Sequence, residues 1–317
     1  EQINTAFRNK DGQSVDIKIE FTLAKIDPNC NPTDGINRVN GSAVSGYSTD
    51  GVLMGSSGAD EVTIKALSLW PNTDYYNIWL VNEFDNNDGG NGTQGFAYFP
   101  GAGSDKDGAM ILNSSWGDQG TAKSWTNEGE TGVHEIGHAL DLWHTFEGDN
   151  DGNSCPSDGC GRDEGDCCDD TPIHIRSSQC PEGETNSCTG LVNGDFIHNY
   201  MDYSNQTCGY LFTSDQKDRM RAALEGPRAI LLSSKALDST ISFSAPKAAS
   251  CTPTTSPTGL GGNFGAILNV KFGDINYSSG YAKADGGYLD VSGNCLNSIS
   301  LVEGGTSSLV IDLSSES

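Results

Sequence analysis

Positive charge is scarce in this sequence. Lys and Arg number 18 against 43 Asp and Glu, a formal net charge of −25 over 317 residues. Such a chain repels phosphate backbones and anionic lipid, which excludes nucleic-acid binding and electrostatic docking on membranes. Long apolar runs are also missing. No stretch approaches the roughly 18 apolar residues of a membrane-spanning helix. Apolar residues make up 35% of the chain, and the rest is rich in Gly, Ser, Thr, Asn and Asp, with 40 glycines. The composition is loop-rich rather than disordered, because 11 Phe, 10 Tyr and 5 Trp can still build cores. Methionine is sparse, at 4, whereas cysteine reaches 10. An even, high cysteine count points to disulfides and an oxidising, extracellular compartment. The chain opens on Glu1 rather than Met, and is expected to be a mature form whose targeting segment has been removed.

The length suggests about two domains. Val15, Ile17, Ile19, Phe21 and Leu23 alternate with mostly polar residues, a strand pattern. Residues 59–69 read as a short helix, and Tyr75 to Val81 as a buried strand. Residues 85–95 are a loop, and Ala109 to Leu112 a short strand beside an active site. Helices are expected from about Thr126 to Leu142 and from Thr213, where Thr213 and Gln216 fit a capping box. Residues 147–190 show no sustained period and carry many Gly, Asp and Cys, so they need staples. Residues 244–263, rich in Pro, Ser, Thr and Gly, read as a linker. Residues 264–317 read as a small all-β module, expected to be cut short.

The chemistry concentrates in Val133-His134-Glu135-Ile136-Gly137-His138-Ala139-Leu140-Asp141-Leu142-Trp143-His144. On a helix, His134 and His138 share one face and can bind one metal ion. Glu135 can polarise a metal-bound water without being a ligand. His144 has the spacing of the third histidine in H-E-x-x-H-x-x-G-x-x-H. Three neutral imidazoles leave one zinc position open, as catalytic sites do. Met201, in Asn199-Tyr200-Met201-Asp202-Tyr203, follows 57 residues after His144 and by itself reads as core packing.

With HEIGHALDLWHTFEG followed in order by GDCCDDTP, QCP, NYMDY and FTSDQ, the chain resembles the metzincin zinc proteases of the pappalysin family, among them the ulilysin-like secreted members. The likeness covers about residues 1–235. It implies an α+β fold for residues 1–243: a twisted mixed β-sheet, an active-site helix, a C-terminal helix and a loop-rich lower half. It implies zinc on His134, His138 and His144, Glu135 as general base and acid, Met201 as the Met-turn, and Tyr203 assisting at the oxyanion. The activity implied is endopeptidase action on proteins or peptides by a secreted enzyme, expected to be monomeric. Peptide would lie along an edge strand, expected near Ala109–Leu112. Family members that prefer Arg or Lys after the scissile bond carry an acidic residue just before the cysteine that follows the Met-turn. Here Asn205-Gln206-Thr207 precede Cys208, so no basic preference is implied.

The family has glycine where this chain has Asp141. Asp also visits the left-handed region, so a left-handed turn is expected there. The rival reading makes Asp141 a ligand in place of His144. The likeness also pairs Cys180 with Cys208. Cys251 and Cys295 flank one small module and are expected to pair. Cys188 is expected to bond upstream, to Cys160, leaving Cys30, Cys155, Cys167 and Cys168 for two further bridges of open connectivity. Between Glu147 and Asp170 the acidic residues face a single base, Arg162. That density invites calcium, and the likeness, whose ulilysin-like members carry calcium near this segment, implies Asp166, Asp169 and Asp170 among the ligands. The string LNVKFGDINYSSGYAKADGGYLDVS resembles the start of a GEVED-type β-domain.

Overall fold

The apolar run Ala109–Leu112 forms the centre of a small mixed sheet in the computed structural model of the chain. The structure describes residues 1–237 apart from 89, 91, 127, 181, 182, 193, 194, 206, 207 and 235, together with three strands between 267 and 313. The chain divides into two units, Glu1–Thr22 with Asn37–Ser234, and Leu23–Ile36 with Lys235–Ser317.

The first unit runs α1 (Gln2–Phe7), α2 (Tyr47–Asp50), α3 (Glu61–Ala66), β1 (Ile78–Val81), β2 (Gly95–Ala97), β3 (Ala109–Leu112), α4 (Glu130–Ala139), β4 (Cys160–Gly161), β5 (Gly165–Asp166) and α5 (Ser214–Glu225). Strand order is β1-β3-β2, with β1 parallel to β3 and β2 antiparallel to it. All four residues of β3 are buried. A strand covered on both faces needs an unbroken apolar run, and Ala-Met-Ile-Leu supplies it. The edge beside the site is therefore β2, not the 109–112 strand expected from sequence. One core joins Phe7, Ile17, Val133, Ile136, Leu142, Met201, Phe212 and Met220. The other joins Val52, Ile64, Trp79, Phe84, Met110 and Leu112. Helix α4 packs against α1, β2 and β3.

Residues 15–23 are not a strand. Ile17 and Ile19 are buried, as the alternation requires, but Lys18 stands at φ 61° and breaks the regular extension. The side chain of Asn4 takes the place of a ladder partner, donating to Phe21 O and accepting from Phe21 N, each at 2.7 Å. The Thr213–Gln216 capping box forms at the start of α5.

The 147–190 segment carries one short hairpin, β4–β5, and is held by disulfides. Cys180 is bonded to Cys208. The expected Cys160–Cys188 bridge does not form. Cys160 lies opposite Asp166 in the hairpin, so its neighbour is Cys167, with Cα atoms 4.2 Å apart. Cys188 bonds to Cys155 instead. Cys155 and Cys167 are thereby used, and the Cys168 thiol is buried and unbridged. Cys251, Cys295 and the 244–263 linker lie outside the described residues.

In the second unit β6 (Ile267–Phe272), β7 (Ile275–Ser278) and β8 (Leu309–Leu313) form an antiparallel sheet in the order β7-β6-β8. No helix among the described residues is long and apolar enough to cross a membrane.

Candidate metal centre

Helix α4 starts at Gly129, whose φ of 79° turns the chain into it. His134 and His138 project from one face, as an i, i+4 pair must. Beyond Ala139 the chain reverses at Asp141, at φ 76°, and returns His144 to the same place. The Nε2 atom of His138 lies 3.1 Å from that of His134 and 3.1 Å from that of His144. Tetrahedral ligands at the usual zinc–nitrogen length of about 2.0–2.1 Å would be separated by about 3.3 Å. The three imidazoles are the one group of three or more metal-ligating side chains that converge among the described residues. Asp141 is not among them, because its carboxylate pairs with Arg219 at 2.8 Å. The rival ligand reading therefore fails.

Two rings are fixed from behind. His134 Nδ1 donates to Tyr200 O and His138 Nδ1 to Leu142 O, each at 2.7 Å. A carbonyl can only accept, so the proton sits on Nδ1 and the Nε2 lone pair is left for a metal. His144 stacks on Phe146 with centroids 4.8 Å apart and planes at 7°. Burial, and the neighbouring imidazoles of the cluster, hold His138 down at about 3 and His144 well below the usual value. Burial lowers His134 too. Neutral imidazoles converging on one point are the donor set of a catalytic zinc site.

Glu135, on the same helix, is buried. Burial pushes its carboxyl up to about 8, and its buried Oε2 has no hydrogen-bond partner. Space for its side chain exists because β2 begins with glycine. A Cβ at Gly95 would meet Glu135 Cγ and Oε1 at 3.1 Å. Tyr203 keeps 47% of its surface exposed, and its ring lies 4.7 Å from that of His144 and 5.8 Å from that of His134. Desolvation raises its phenol above the ordinary value. Met201 is fully buried in the core shared with α4, and its carbonyl accepts from Thr145 N at 3.2 Å. Phe99 and Trp143 add an aromatic wall beside His138.

The acidic segment does not gather its three expected ligands. Asp166 is buried, accepts from Thr171 Oγ1 at 2.7 Å, and is raised to about 6 by desolvation. It borders a small cavity with Thr145, Asp158 and Thr171. Asp169 and Asp170 turn away to the start of α5. Asp215 N donates to Asp170 Oδ2, and Asp169 N to Asp215 Oδ2, both at 3.0 Å.

Gly95, Phe99, Trp143, Arg219 and the carbonyls of Tyr200 and Leu142 were not singled out from sequence. Backbone acceptors carry no residue signature. Gly95 closes a glycine-rich loop that gives no periodicity.

The model of the Peptidase_M43 family, described as pregnancy-associated plasma protein-A, matches residues 59–225. An extracellular metalloprotease of Aspergillus oryzae is 41% identical over 117 residues, 37% of this chain and 34% of the relative. Another, of Arthroderma benhamiae, is 37% identical over 172 residues, 52% of this chain and 53% of the relative. The chain thus spans about a third to a half of these relatives. Among solved structures, mature mirolysin of Tannerella forsythia in complex with a cleaved peptide is 30% identical, with a TM-score of 0.56, covering 73% of this chain and 84% of that one. Mirolysin in complex with compound 9 is 28% identical, with a TM-score of 0.57, covering 73% and 85%.

Proposed function

The chain belongs to the Peptidase_M43 family of metzincin-like proteases, and from that premise we propose that it is a secreted zinc-dependent endopeptidase. The convergence of three Nε2 atoms beside a buried, unpartnered Glu135 carries the reading. His134, His138 and His144 would hold the zinc. When bound, the ion supplies Lewis acidity and brings the pKa of water toward about 7.

Glu135 takes the proton from the attacking water. Its burial keeps the neutral form accessible, so it can return that proton to the departing amine. Tyr203 donates a hydrogen bond to the oxyanion as the carbonyl is attacked. Peptide lies extended along β2, whose outer edge is unpaired among the described residues. Gly95 in that strand leaves room for the Glu135 side chain. Extracellular action follows the names of the fungal relatives and the disulfides within the 155–208 region.

We also propose one structural calcium ion in the acidic segment, centred on Asp166 and its small cavity. The enzyme acts as a monomer on protein or peptide substrates.

The test is metal analysis paired with casein digestion. One zinc per chain, with activity lost to a zinc-selective chelator at saturating calcium and regained on adding zinc, is the expected result. Digestion that survives complete removal of zinc would overturn the reading.

A further inference from the structure

We propose that Arg219 of α5 is a positioning residue, which clamps Asp141 and so sets the turn joining the second and third metal-binding imidazoles. The proposal rests on the zinc reading above. Helix α4 ends in a Schellman arrangement, with Asp141 N bonded to His138 O and Leu142 N to Gly137 O, each at 3.0 Å. The residue at its left-handed position is usually glycine, because a Cβ there crowds the backbone. Asp141 occupies it at φ 76°.

Arg219 supplies what the backbone alone does not. Its Nε donates to the main-chain oxygen of Asp141 at 2.5 Å, and its Nη2 lies 2.8 Å from Asp141 Oδ2. The rigid guanidinium fork makes both contacts at once, which fixes the carbonyl and the side chain of one residue together. A turn so fixed governs two imidazoles. Leu142, the next residue, gives its carbonyl to His138 Nδ1. His144 comes three residues after Asp141. A rotation about the bonds of residue 141 would move the His138 acceptor and the His144 ring in concert. Arg219 touches no imidazole itself, so it acts through the turn.

The experiment measures zinc affinity, by competition with a chromogenic chelator, for wild type, Arg219→Met, Asp141→Gly and the double variant. Metal-site support of this kind is worth about 10–100-fold in affinity, so Arg219→Met is expected to bind zinc at least about tenfold more weakly, with kcat reduced and KM little changed. Asp141→Gly should match wild type. The double variant should recover to within about threefold of wild type, because glycine holds the left-handed turn without a clamp. Arg219→Met binding zinc like wild type overturns the proposal, as does a double variant as weak as Arg219→Met. Should Arg219→Met not fold, Arg219→Lys takes its place. One ammonium is a poor substitute for the fork, so weaker zinc binding is expected there too, and unchanged binding overturns the clamp. A wild type that binds no zinc refutes the metal-site reading, whereas tight zinc in wild type and in every Arg219 variant refutes only the clamp.

Discussion

The sulfur of Met201 occupies the space that a Cβ on Gly137 would take, so a methyl group there would overlap Sδ. The turn at Met201 thus packs directly against α4, between His134 and His138. In an exposed helix Gly→Ala stabilises by about 1 kcal/mol. Here the sign reverses. Gly137→Ala is expected to destabilise by about 1–3 kcal/mol through overpacking, read from the urea midpoint. A gain in stability would show that the turn does not press on the helix.

Glu130, in the first turn of α4, gives a pH-dependent stability. Desolvation, assisted by repulsion from Glu128, raises its carboxyl to about 9. It stays protonated in the fold but ionises in the unfolded chain above about pH 4.3. Its contribution to folding is therefore fully present below that pH and is lost as the pH climbs toward 9. Glu130→Gln keeps the neutral shape. It is expected to leave stability unchanged near pH 4 and to raise it at pH 8 by on the order of 1 kcal/mol, once the helix N-terminus is allowed to favour the carboxylate, with Tm rising accordingly. Equal Tm values at pH 8 would contradict this.

The convergence of the histidines was legible because its geometry is local: i, i+4 on a helix decides that His134 and His138 meet. The left-handed turn at Asp141 was legible from the family pattern. The edge strand was not, since β2 is three residues long and follows a loop with no period, while its apolar neighbour Ala109–Leu112 drew attention as the better strand. Alternation at 15–23 reported burial correctly but could not reveal that Asn4 and a left-handed Lys18 replace a ladder. Cysteine pairing depended on which residues the β4–β5 hairpin sets opposite each other, and spacing does not encode that. Asp169 and Asp170 read as calcium ligands from the family string they lie in, yet the backbone of α5 engages Asp170 and the Asp215 side chain engages the backbone of Asp169.

The Cys180–Cys208 bridge closes a loop with a sequence separation of 28. Cys180→Ala with Cys208→Ala is expected to lower stability by about 3 kcal/mol, within the usual 2–5. Thermal unfolding under non-reducing conditions measures it, and an unchanged Tm would argue against a bridged native state.

Calcium bound near Asp166 would stabilise only the folded chain. With zinc held fixed, raising calcium to millimolar levels should increase Tm and slow autolysis, and Asp166→Asn should abolish the effect. No change in either quantity would remove calcium from the account.

The most direct test of the central claim is turnover of a peptide substrate by Glu135→Ala, with bound zinc measured in the same sample. In the proposed mechanism Glu135 moves protons and holds no metal. The variant is expected to keep the fold and full zinc while activity falls by about 10²–10⁴. A variant that retains zinc and more than about half of wild-type turnover, far above the loss expected of a missing general base, would contradict the assignment of Glu135 and the mechanism built on it.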